Sequence, residues 1–124
     1  MKLETIPGEF SVCQVADYSR VDISAPFVFT GATDEEKSLV CPTARVPPNT
    51  TARDDGWRAF RVKGTLDFSL TGILARLSAV LAEAEIGIFA VSTFNTDYIL
   101  TKSVHFDRAL AALRAAGHMI DAAS

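Results

Sequence analysis

The segment Gly64–Leu100 constrains this chain more than any other. It reads Gly-Thr-Leu-Asp-Phe-Ser-Leu-Thr-Gly-Ile-Leu-Ala, then an apolar helical stretch, then Ile-Gly-Ile-Phe-Ala-Val-Ser-Thr-Phe-Asn-Thr-Asp-Tyr-Ile-Leu. Strand residues run into a glycine-bearing turn, the turn opens a helix, and the helix feeds two strands joined by a tight polar hairpin. That order sets the helix's unpaired N–H groups and the hairpin tip at one end of a sheet. A corner of this kind suits a small zwitterion, and no arrangement of catalytic side chains elsewhere in the chain rivals it.

The periodicity around that segment fixes the elements. Trp57 to Val62 alternates, with Trp57, Ala59 and Arg61 on one face and Arg58, Phe60 and Val62 on the other. Ile73, Leu74, Leu77, Leu81 and Ala84 form the apolar stripe of an amphipathic helix, which Asp67 or Ser69 can cap. Gly87 follows it. Ile88–Phe94 and Asp97–Ser103 read as strands around an Asn95-Thr96 turn. A second helix buries Phe106, Ala109, Leu110 and Leu113, with Asp107 in its first turn and Gly117 as its stop. Met119-Ile120 adds a short last strand. The order β-α-β-β-α-β is the ferredoxin-like arrangement, with helices on one face of an antiparallel sheet. The opposite face needs cover from the N-terminal half or from another subunit.

The N-terminal half is poor in helix signals. Phe10–Val15 alternates as a strand, and two β-rich runs starting at Phe27 flank the polar tip Gly31-Ala-Thr-Asp-Glu-Glu. Pro42 ends the second run, because proline cannot donate to a ladder. Residues 43–56 hold Pro47-Pro48, Asn49-Thr50-Thr51 and Asp54-Asp55-Gly56, the composition of a linker loop. The expected division is an incomplete half over 1–42, a linker over 43–56 and a complete unit over 57–124.

Bulk properties narrow the function. A length of 124 residues suits one domain or two small halves sharing a core. The net charge is −3 and there is no basic patch, which argues against nucleic acid as a partner. No apolar run nears the roughly 18 residues of a membrane span, and the first residues lack the order of a secretory signal. A cytoplasmic protein is expected. Cys13 and Cys41 form no close-spaced metal motif, and with only His105 and His118 to join them no zinc site is expected. No cofactor is implied. The two thiols read as buried in a reducing compartment.

The residues Gly64-Thr-Leu-Asp-Phe-Ser-Leu-Thr-Gly72-Ile73, with Ile88 through Leu100, resemble the ACT domain. They are most similar to the subfamily of small bacterial proteins related to the eukaryotic cytosolic arginine sensors, as is Thr33-Asp-Glu-Glu-Lys-Ser-Leu-Val-Cys-Pro. The resemblance covers roughly residues 10–118 and is most specific at Ser92-Thr-Phe-Asn-Thr-Asp97. It implies an α+β protein in which a ferredoxin-like ACT domain packs with an incomplete N-terminal ACT-like half. It also implies a regulatory module that binds a free amino acid, without catalysis of its own; the binding place expected is the shared edge of the two halves or a dimer interface, with a homodimer as the oligomer that would supply it. The ligand residues it implies are Asp67, Phe68, Gly72 and Ile73 in the loop before the helix, Thr93, Phe94 and Asp97 in the hairpin, and Ser38 and Leu39 from the first half. Leu70 stands where a second acid for a guanidinium would be expected, so the resemblance does not specify arginine.

Elementary chemistry runs partly parallel. A helix N-terminus offers N–H groups and partial positive charge to a carboxylate, and Gly72 allows close approach. Asp97 or Asp67 can meet an ammonium group, and Phe94 or Phe68 can exclude water. Each residue also has a plainer role: Asp97 can close its own turn, Asp67 can cap the helix, Gly72 can serve helix–sheet packing, and Ser92, Thr93 and Ser38 can be ordinary strand residues. Two rival classes remain: an interaction module without a ligand, and a small enzyme acting on an amino acid. The second lacks a nucleophile–base pair, since both cysteines sit in apolar strand settings that blunt a thiol.

Overall fold

The computed structural model describes residues 1–64 and 72–122. Their elements are β1 (Lys2–Val15), β2 (Phe29–Ala32), β3 (Lys37–Pro42), a 3-10 turn at Thr43–Arg45, β4 (Thr50–Val62), α1 (Ile73–Glu83), β5 (Phe89–Ser92), β6 (Asp97–Lys102), α2 (Ser103–Ala115) and β7 (Met119–Asp121). The fold is α+β and ferredoxin-like, as its order of strands and helices predicts. Two compact units emerge: Met1–Pro7 together with Arg58–Ser124, and Gly8–Trp57. The long strands β1 and β4 therefore supply residues to both.

In the first unit, β6 lies between β4 and β5, and the start of β1 lies between β4 and β7. β1 pairs with β7 in parallel, Leu3 opposite Ile120, and the Lys63 N–H donates to the Lys2 carbonyl at 2.9 Å. The helices cover one face. Leu77 and Leu81 of α1 and Phe106, Ala109, Leu110 and Leu113 of α2 pack with Phe60, Val62 and Ile99 from the strands. Leu3, 0% exposed, belongs to the same core.

Both helices end in the same way. Past α2, the His118 N–H bonds the Leu113 carbonyl and the Gly117 N–H bonds that of Arg114, with Gly117 at φ +96°. Past α1, Ile86 and Glu85 make the matching bonds to Leu81 and Ala82, with Glu85 at φ 59°. This double closure satisfies carbonyls that a helix end otherwise leaves open.

In the second unit the strand order is β2-β3-β1-β4. Cys13, Val15, Leu39 and Cys41 form its small core, against which Tyr18, Val21, Val28 and Val46 pack. The Tyr18 hydroxyl donates to the Ser38 carbonyl at 2.8 Å. The buried Ser11 hydroxyl donates to Asp55 Oδ1 at 2.5 Å and lies 2.9 Å from Thr43 Oγ1.

Several expectations change. β1 begins at Lys2, well before Phe10, and the expected linker over 43–56 is a 3-10 turn followed by β4 from Thr50. Residues 51–55 are all exposed, so no apolar alternation marks that half of the strand. The breaker residues are accommodated by positive φ, at Gly8 (+87°) and Gly56 (+82°), which glycine adopts without a Cβ penalty. α2 starts at Ser103, so Asp107 lies past the first turn, which holds no acid. After α1 the left-handed residue is Glu85, not Gly87.

The two units contain one hairpin twice. β2 and β3 pair as Phe29↔Val40 through Ala32↔Lys37, and β5 and β6 pair sixty positions on as Phe89↔Leu100 through Ser92↔Asp97. Both tips close alike. The Thr33 N–H donates to the Glu36 carbonyl at 2.8 Å and the Thr93 N–H to the Thr96 carbonyl at 2.9 Å.

Candidate functional site

The candidate corner is in the first unit, where the end of β4 meets the β5–β6 hairpin, and α1 is the next described element along the chain. Its anchor is Thr96, 6% exposed, whose hydroxyl donates to the Val62 carbonyl at 2.8 Å. That bond ties the hairpin tip to the strand end leading through Gly64 to α1. Gly72, at φ +77°, is the N-cap of α1 and provides no side-chain cap, so the first N–H groups of the helix are not closed by that position. Its carbonyl accepts the Arg76 N–H at 2.9 Å and Arg76 Nε at 3.4 Å. A guanidinium thus stands on the first turn, adding positive charge to the end that already carries the helix's partial positive charge.

Of the expected site residues, Gly72, Ile73, Thr93, Phe94 and Asp97 fall in this unit. Ile73 is buried in the core and can offer only backbone. Thr93 is spent on its own turn: its hydroxyl donates to the Thr96 carbonyl at 3.0 Å and accepts the Thr96 N–H at 3.4 Å. Phe94 projects at the tip, 78% exposed. Asp97 is half-buried, with Oδ1 accepting the Ser92 hydroxyl at 2.6 Å. Asp67 and Phe68, and the alternative cap Ser69, lie outside the described residues. Ser38 and Leu39 belong to the second unit: Ser38's carbonyl is taken by Tyr18, and Leu39, 0% exposed, fills that unit's core.

Two further residues stand out that the sequence does not mark as candidates. Arg76 sits on the apolar helix with nothing local to mark it except its place one turn after Gly72. Thr96 passed for an ordinary turn residue, and its buried hydroxyl becomes visible only once β4 lies beside the hairpin.

The remaining reactive groups are quiet. Burial pushes the Cys41 thiol up to about 11 and raises Cys13 as well, so both are protonated thiols at neutral pH. Burial also lowers His118, helped by the Met1 ammonium and Arg76. Among the described residues, no group of three His, Cys, Asp or Glu side chains is placed to hold a metal ion, and no helix is long and apolar enough to cross a membrane.

The chain is similar to known proteins in sequence and in fold. The family model for the ACT domain matches residues 52–115. A crystal structure of a protein from Agobacterium tumefaciens is 31% identical, covering 99% of this chain and 93% of that one, with a TM-score of 0.87. Aspartate kinase from Clostridium acetobutylicum, described as an allosteric enzyme, is 12% identical over 92% of this chain and 33% of that one, with a TM-score of 0.66. The regulatory subunit of aspartate kinase from Thermus thermophilus, in its ligand-free form, is 8% identical over 93% and 96%, with a TM-score of 0.63. No curated protein sequence matches the chain.

Proposed function

This chain belongs to the ACT domain family, and on that premise we propose that it is a small regulatory protein that binds a free amino acid and performs no catalysis of its own. The ligand corner is the start of α1 together with the β5–β6 hairpin. The observation that carries this reading is the buried Thr96–Val62 hydrogen bond, which holds the hairpin at the strand end that leads into Gly72. There, helix N–H groups and Arg76 meet the ligand carboxylate, and Asp97 meets its ammonium group. Asp67 and Phe68 belong to the same corner in this proposal, as loop residues preceding Gly72. Ser38 and Leu39 do not enter it, given their engagements in the second unit. The relationship to the cytosolic arginine sensors, carried by Ser92–Asp97, is part of the reading, with the amino acid itself left to experiment. Ligand binding changes association with a second copy or a partner protein.

A thermal-shift screen against the common L-amino acids tests this. A ligand at about 100 times its dissociation constant adds roughly 2.7 kcal/mol, a rise of several degrees for a chain of this size. Absence of a shift with every amino acid defeats the reading. Turnover of an amino acid, with or without ATP and magnesium, defeats its non-catalytic part.

A further inference from the structure

We infer that Ser92 is a positioning residue for the ligand's ammonium group: its hydroxyl fixes one oxygen of the Asp97 carboxylate so that the other faces the bound amino acid. This inference rests on the proposed amino-acid corner. Ser92 and Asp97 are the last opposed pair of the β5–β6 ladder before the turn. The Ser92 hydroxyl donates to Asp97 Oδ1 at 2.6 Å, within the short range of bonds to an ionised acceptor. Among the described residues, Oδ2 carries no hydrogen bond or ion pair.

The plainer explanation is that the pair staples the hairpin, and the molecule contains its own control for that. In the second unit, the hairpin sixty positions earlier has the same register, the same threonine at the turn and the same closing bond. There Ala32 and Lys37 stand at the positions of Ser92 and Asp97. With neither hydroxyl nor acid, that turn closes at 2.8 Å against 2.9 Å. The hairpin therefore does not require a Ser–Asp pair. What the pair adds is an aimed carboxylate: a side chain locked in one rotamer loses less freedom when the ligand arrives.

The test is calorimetry on the full chain with the amino acid that gives the largest wild-type thermal shift among the common L-amino acids. Ser92→Ala should weaken binding about tenfold or more, the range for a hydrogen bond to a charged group. Its melting temperature without ligand should stay near the wild-type value, since the sister hairpin tolerates alanine. Ser92→Thr, which keeps the hydroxyl, should restore most of the affinity. In an Asp97→Asn background, Ser92→Ala should have little further effect, because the two act through one group. Wild-type binding with unchanged affinity in Ser92→Ala overturns this inference alone, as does an equal loss in both backgrounds. No shift in the wild type with any amino acid overturns the underlying reading and this inference together.

Discussion

The hairpins β2–β3 and β5–β6 share length, register and turn, yet they lead into different structures. After β6 comes α2, thirteen residues long. After β3, at the corresponding point, comes a 3-10 turn of three residues. The reason is local. Pro47 and Pro48 fall where α2 has Asp107 and Arg108, and proline within a helix removes an N–H and clashes with the preceding turn. The segment Ser103–Ala115 is rich in alanine, leucine and arginine instead, all good helix formers. Equivalent strand positions then acquire different covers. Ile99 is 0% exposed in a core with both helices, and Leu39 is equally buried in a smaller one beneath Tyr18, Val21, Val28 and Val46. One supersecondary unit can thus be closed by helices or by an irregular segment, and the hairpin survives both.

The severest test of the comparison is to separate the units. Expressed alone, residues 55–124 should lose the cooperative transition of the full chain, because Leu3 and Ile6, 0% and 2% exposed, and the strand that β7 pairs with are then missing. Urea unfolding followed by circular dichroism reads this, and a fragment as stable as the whole chain would show that the first seven residues are dispensable.

The next comparison uses the paired core positions. Ile99→Ala and Leu39→Ala should each cost about 2–5 kcal/mol, with Ile99 about 1 kcal/mol worse because two helices hold its cavity open while an irregular segment relaxes. Equal midpoint changes in urea would remove the distinction between the two covers.

At the tips, Asp97→Ala should weaken amino-acid binding by about 2–5 kcal/mol, since a buried ligand charge would lose its partner, and cost the fold about 1 kcal/mol or less. Lys37→Ala, at the same place in the other hairpin, should leave affinity within about 0.5 kcal/mol. Calorimetry on both variants decides, and equal affinities would take Asp97 out of the corner. Thr96→Val should cost the fold about 1–3 kcal/mol by removing the buried hydrogen bond from the Thr96 hydroxyl to the Val62 carbonyl. Glu36→Ala at the matching position should be nearly silent in the same unfolding experiment.

The smallest effect is in pH. His118 is lowered by burial, so the unfolded chain takes up its proton first on acidification. The stability this residue contributes is complete above the unfolded value near 6.5 and declines as pH falls from there toward the folded value. His118→Gln should flatten that decline in melting temperature. Both histidines lie outside Gly8–Trp57, so the second unit should not contribute to it.

The first unit was legible because its signals are short-range and agree. The Ile73–Ala84 stripe, the Phe106–Leu113 stripe, Gly117 and the Asp97 return strand each correspond to an element within a few residues. Strands β1 and β4 were not. Lys2–Glu9 contains Pro7-Gly8, and residues 51–55 are exposed and mostly polar, so neither carries the alternation that marks a half-buried strand. The candidate corner was legible only in its chain-local members, Gly72 at the helix start and Asp97 at the hairpin end. Arg76, Thr96 and the Ser92 bond became visible only with side chains in place.

Sequence alone determined what depends on neighbours within a turn or two: which segments form helices, that Gly117 stops the second of them, and that a return strand starts at Asp97. Tertiary structure decided what depends on residues far apart in the chain. It drew Lys2–Glu4 between β4 and β7, extended β4 back to Thr50, and set the Thr96 hydroxyl on the Val62 carbonyl. The physical reason is that strand pairing and burial are satisfied by distant partners, which leave no local pattern to read.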